Sequence, residues 1–153
     1  MTFDEKIEEL FIDMTEPPLE RGNVIGAVKN GKTLAVVGAL PFASGRIQNP
    51  GRVGVEVRLD SAKLAARAAA VMALSYAWHE LGGTLNKIKR VVKVEAFVAC
   101  GADFRDHTKV ADGASELLAQ VFGPSGKHAR SVAGVTSLPQ NACISLSIEF
   151  EVK

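Results

Sequence analysis

The ten residues before the C-terminal lysine carry the strictest constraint on this chain. In "CISLSIEFEV", Ile144, Leu146, Ile148, Phe150 and Val152 alternate with Ser145, Ser147, Glu149 and Glu151. A period of two sends the first set to one face of a β-strand and the second to the other. Wound into a helix at about 100° per residue, the same residues would scatter round the axis and bury nothing cleanly. The chain must therefore build a sheet with one strongly apolar face, and something else must cover that face.

Two segments have the pattern to do so. From Asp60 or Ser61, either of which is expected to cap it, a helix runs to Gly82-Gly83. Its stripe holds Ala65, Ala69, Met72, Ala73, Tyr76 and Leu81, and its many alanines predict close packing on a sheet. A second helix is expected over 107–122, marked by Val110, Ala114, Leu117, Leu118 and Val121. Between them "KIKRVVKVEAFVAC" reads as a strand with Val92, Val94, Ala96 and Val98 on one face. Upstream, residues 4–12 suggest a short helix, stopped by Pro17 and Pro18. Two apolar runs flank "KNGK", where Asn30-Gly31 predicts a hairpin. "ALPFASGRIQNPGR" reads as a loop, "RVGVEVRL" as a short third strand, and "ARSVAGV" as the strand before the last. The order is ββ(β)αβαββ, an α+β arrangement with two helices on one sheet face. With 153 residues and no linker or repeat, residues 1–153 read as a single domain, with 1–17 as an N-terminal extension.

Composition narrows the function classes. Hydrophobic residues make up 47% and charged residues 23%, a globular balance. The formal net charge of +1 gives no global reason to expect nucleic acid. The basic run Lys87–Lys93 is accounted for by strand alternation, and one Tyr and one Trp offer few stacking platforms for RNA. No apolar run approaches the roughly 20 residues of a membrane span, and "MTFDEKIEEL" is not a signal peptide, so a cytoplasmic location and no membrane partner are expected. Cys100 and Cys143, both in apolar strand contexts, read as buried thiols. His79, His107 and His128 show no HxxH or HExxH spacing, and neither a P-loop nor a dinucleotide fingerprint is present; no metal and no cofactor are expected. His128 is the best acid–base candidate, since its charge changes near neutral pH, although an ordinary surface histidine is the plainer reading.

Three blocks taken together resemble the RidA/YjgF family: "VIGAVKNGKTLAVVGALP", the helix–strand–helix run from Leu64 to Gly123, and "HARSVAGVTSLPQNACISLSIEFEV". The resemblance implies a chorismate-mutase-like fold and a homotrimer whose sheets meet in an intersubunit barrel, with ligand clefts between subunits. The activity it implies is hydrolysis of an enamine or imine to a keto acid and ammonia, so this chain is expected to bind a small carboxylate-bearing metabolite. A non-catalytic small-acid-binding or sensor protein is the alternative, and an endoribonuclease or translation-inhibitor-like member the more distant one.

Residue by residue, Arg130 matches the family's carboxylate-binding arginine, and a planar guanidinium can give a carboxylate two parallel hydrogen bonds. The backbone near Gly38 and Ala39 matches a ligand-contacting loop. Val24 stands where active members carry a tyrosine, and Gly26 replaces a glutamine, which implies a less polar and wider cleft wall. Val132 replaces a cysteine common in the family. Ser145 stands where the active deaminases have the water-organising glutamate, and a hydroxyl is a poor base beside a carboxylate. Asp112, at a position that is commonly Asn, is a possible contributor if it lies near the cleft; otherwise it is a helix-surface or capping group.

Overall fold

A computed structural model describes residues 1–14, 17 and 22–153. A five-stranded mixed sheet has the order β1-β2-β7-β5-β6. Its strands are β1 (Ala27–Asn30), β2 (Thr33–Ala39), β5 (Ile88–Ala99), β6 (Ala129–Val135) and β7 (Ile144–Val152). Only β5 and β6 run parallel, joined by α3 (His107–Phe122); every other pairing is antiparallel. The strand β7 takes a central place between β2 and β5, as its alternation requires. Ile144, Leu146, Ile148 and Phe150 are at most 1% exposed and lie under α2 (Leu59–Glu80), and the Phe122 ring, at the end of α3, stands 6.2 Å from that of Phe150.

Hairpin β1–β2 forms, but its two-residue loop is Gly31-Lys32 rather than Asn30-Gly31, because Asn30 already pairs with Thr33. Gly31 takes the positive φ of 63° that such a turn demands at its first position. The helix α2 begins at an N-cap of Arg58, so Asp60 and Ser61 lie inside its first turn and neither caps it. Its end follows expectation: Gly82 N–H bonds His79 O (3.2 Å) and Gly83 N–H bonds Trp78 O (2.8 Å), the paired bonds of a Schellman stop. "RVGVEVRL" is not a strand. Gly51 and Gly54 adopt φ of 120° and 83°, and the Arg52 carbonyl gathers the N–H groups of Val55, Glu56 and Val57 into a turn. Inside the expected loop a two-residue ladder joins β3 (Phe42–Ala43) and β4 (Arg46–Ile47). In β5 the register shifts between Val91 and Lys93. Val91 is therefore fully buried and Val92, expected inward, is 37% exposed.

The segment read as an extension is docked on the body. Helix α1 (Phe3–Glu9) opens on a Thr2–Glu5 capping box, and Phe3 meets Phe122 edge-on at 4.8 Å. The Asp4 carboxylate accepts from Leu85 N–H (2.7 Å) and from the Thr84 hydroxyl. The stop assigned to Pro17 and Pro18 falls partly outside the described residues.

The other sheet face is covered by no helix among the described residues. It carries Val28, Ala35, Val37, Lys93, Glu95, Phe97, Ser131, Ser145, Ser147 and Glu149, as the pairings require. Val37 is 67% and Phe97 41% exposed there.

Candidate functional site

Arg130 stands second in β6, an edge strand, in register with Val94. Paired residues share a face, and Val94 is buried beneath the helices. Arg130 therefore points into the seam between β6 and α3 and is four-fifths removed from solvent. A charge so placed needs partners. Asp112 and Ser115, three residues apart on one helical face, supply them. Nη1 of Arg130 donates to Asp112 Oδ1 at 2.8 Å and to Ser115 Oγ at 3.0 Å.

The remaining donors are open. Among the described residues, Nε and Nη2 of Arg130 have no hydrogen-bond partner. In a guanidinium the Nε–H and one Nη2–H run parallel, and that edge matches the two oxygens of a carboxylate. Both hydrogens of Nη1 are engaged, so the group is clamped at one corner and presents its side-on edge.

His128, just before β6, extends the cluster. Its Nδ1 lies 2.6 Å from Gly126 O and its Nε2 2.9 Å from Ser115 Oγ. A carbonyl only accepts, so Nδ1 holds the ring proton in the neutral imidazole, and Nε2 accepts the Ser115 hydroxyl. Ser115 then offers a lone pair to Arg130, which can only donate. With the imidazole neutral, every bond direction from Gly126 to Asp112 follows from the chemistry of its ends.

The position of α3 is set by a close helix crossing. A side chain at Gly113 would collide with the Lys63 carbonyl of α2, so only glycine lets α3 come near enough to bring Asp112 and Ser115 over β6. Arg58, Lys63 and Lys109 line the shallow depression that Asp112 borders, and each is paired there with a carboxylate, of Asp60, Glu116 and Asp106 respectively.

The other expected residues fall elsewhere. Ser145 pairs with Phe97 on the open face, so the sheet separates it from Arg130. Within one chain, Ser145 and Arg130 therefore do not meet. Gly38, at φ 72° in a bulge between Val36 and Ala39, gives its N–H to Ser147 Oγ (3.3 Å). Ala39, next along the strand, has its side chain fully buried. Val24 is 68% exposed ahead of β1. The space a side chain would fill at Gly26 is taken by the Tyr76 ring, so the glycine admits an aromatic instead of widening a wall. Val132 shares the inner face with Arg130 and packs partly on the core. Asp112 is thus brought to Arg130, and Ser145, Gly38 and Val24 are not. Ser115 was missed, although its three-residue spacing from Asp112 beside an apolar stripe was visible in the chain.

Among the described residues no group of three or more His, Cys, Asp and Glu side chains is arranged to hold a metal ion, and no helix is long and apolar enough to cross a membrane. Cys100 Sγ lies 3.5 Å from His107 Nε2, and Gly134 leaves room for both. Cys143 is fully buried, and desolvation pushes its thiol from the ordinary 9.0 up to about 11.

Fold and site together define an α+β protein with a helix-clamped arginine at the edge of a mixed sheet. The family model described as "YjgF/chorismate_mutase-like, putative endoribonuclease" matches residues 12–151. Protein TCP17 of Trypanosoma cruzi is 33% identical over 147 residues, which is 95% of this chain and 91% of that protein. The crystal structure of Atu1372 from Agrobacterium tumefaciens, a protein of unknown function, matches at a TM-score of 0.92 and 36% identity, covering 99% of this chain and 92% of that one. A "putative endoribonuclease" from Shewanella oneidensis matches at 0.93 with 24% identity, over 99% and 100% of the two chains, and at that identity speaks for the fold alone. The chain belongs to the YjgF/chorismate mutase-like family, as a divergent RidA/YjgF member.

Proposed function

We propose that this protein binds a small carboxylate-bearing metabolite, such as a 2-keto acid, on the free edge of Arg130. The observation that carries this reading is the asymmetric clamp: Nη1 is fully engaged while Nε and Nη2 are open. A group held this way has little orientational freedom left to lose on binding, which favours affinity for a planar anion. The cleft would be completed by a neighbouring copy in a homotrimer, with the open sheet face and its exposed Val37 and Phe97 turned toward the partners. No cofactor is called for by this chemistry.

Hydrolysis of an enamine or imine makes a further demand. A base must sit beside the carbon next to the bound carboxylate, so that water can add to C=N and ammonia can leave. Ser145 lies across the sheet. Asp112 lies on the Nη1 side, opposite the open edge, where it clamps the arginine rather than facing a ligand. Binding is therefore the better-supported reading, and turnover would require a group from a neighbouring subunit. RNA cleavage, named in the descriptions of relatives, would need an acid–base pair facing a phosphodiester, but Ser115 and His128 are turned toward Arg130.

A coupled assay for keto-acid release from amino-acid-derived imines tests the two readings together. The expected outcome is keto-acid binding with little or no release above the uncatalysed rate. Rapid release that disappears in Arg130→Ala would instead establish the hydrolase, and rapid release that survives in it would remove Arg130 from the function.

A further inference from the structure

The relay behind Arg130 does more than satisfy a buried charge. Its members are Gly126 O, His128 Nδ1–H, His128 Nε2, Ser115 O–H and Arg130 Nη1, joined at 2.6, 2.9 and 3.0 Å. A serine hydroxyl is a rotor with one hydrogen, and left alone it can present that hydrogen to any acceptor in reach. Here one acceptor claims it. Because the Gly126 carbonyl fixes the histidine tautomer, Nε2 is an acceptor, and Ser115 must turn its hydrogen to Nε2 and a lone pair to Arg130.

We infer that His128 is a positioning residue for carboxylate binding, acting through Ser115 to fix the plane of the Arg130 guanidinium without touching the ligand. This rests on the carboxylate reading of Arg130. Asp112 supplies the charge at the same nitrogen but cannot alone set the plane, since a single bond to Oδ1 leaves the guanidinium free to swing about it. The second bond, from Nη1 to Ser115, removes that freedom. The two contacts hold one corner from two directions, and the open Nε/Nη2 edge then faces one way only. Neither Ser115 nor His128 can reach a carboxylate on that edge, because Ser115 holds the opposite corner of the same group.

The test combines ligand affinity with two spectroscopic signatures. By calorimetry with pyruvate or 2-oxobutanoate as the probe, Ser115→Ala and His128→Leu should each weaken binding by about tenfold, the worth of one hydrogen bond to a charged group. The double variant should be no weaker than either single one, since both remove the same relay. Ser115→Thr keeps the hydroxyl and should restore most of the affinity. A merely structural role would lower the melting temperature without this coupling or rescue.

In the unliganded wild type, nitrogen NMR at neutral imidazole charge should find the His128 proton on Nδ1. Resolved Nη1 proton signals of Arg130 should collapse in Ser115→Ala as the group begins to turn. A proton on Nε2, unchanged Arg130 signals, or unchanged affinity in both single variants would each overturn the inference. These failures are separable from failure of the binding reading. In that case the wild type would bind no keto acid, or Arg130→Ala would bind as well as the wild type, whatever the relay does.

Discussion

Single side chains carry the chemical claim. Arg130 could be picked out from the sequence by its match to the family arginine, but its environment could not. Which donors are taken and which are open depends on α3 lying across β6, a contact between residues 15 and 18 positions apart. Ser145 shows the reverse case. Its match rests on a count along the chain from the arginine, and the strand pairing puts the two residues on opposite faces of the sheet within one chain. A spacing in sequence fixes the face of a residue within one strand, whereas the relation between two strands needs their register. Cys143 gives a prediction at this scale. Its thiol titrates near 11 in the folded protein against an ordinary 9.0. Below pH 9 both states hold the proton and nothing changes. Between 9 and 11 the unfolded thiol ionises while the folded one does not, so stability falls, by up to about 2–3 kcal/mol at the upper end. Denaturation midpoints across that window should show the fall in wild type and a shallower one in Cys143→Ala. Equal slopes would show that the buried thiol is not responsible.

Among the elements, β7 and α3 were legible because their periods are unbroken: nine alternating residues in one, an apolar stripe over 107–122 in the other. Legibility failed where a single residue redirects the chain. The bulge at Val91–Lys93 flips Val92 outward, and the turn round the Arg52 carbonyl undoes an apparent strand. Neither leaves a periodic trace, since each depends on hydrogen bonds to distant backbone or to a turn that glycine permits. The element contact that matters most to the site is the α2–α3 crossing at Gly113. Gly113→Ala gains about 1 kcal/mol of helix propensity. It must also push the helices apart against the Lys63 carbonyl, at a cost of about 1–3 kcal/mol for overpacking in a tight contact. The net prediction is a lower melting temperature together with weaker keto-acid binding, because Asp112 and Ser115 move with α3. An unchanged affinity in a destabilised variant would show that the crossing does not set the clamp.

For the whole molecule, the one-sided alternation of β7 demanded cover for one face, and α2 and α3 provide it. The opposite face keeps Val37 and Phe97 exposed beside polar neighbours. In the proposed trimer that face is interior, so Phe97→Asp should leave the chain folded but shift its mass in light scattering from three copies to one. It should also weaken ligand binding in step. A trimer that survives the substitution would place the interface elsewhere. The central claim is narrower than the assembly: the open edge of Arg130 holds a carboxylate. Isothermal titration of the wild type with 2-oxobutanoate, beside Arg130→Lys and Arg130→Ala, tests it most directly. Lysine keeps the charge but lacks the parallel donor pair. The account predicts saturable binding in wild type, a loss of about tenfold or more in Arg130→Lys, where one hydrogen bond to a charged group is gone, and no measurable binding in Arg130→Ala. Equal affinity in all three proteins would contradict it.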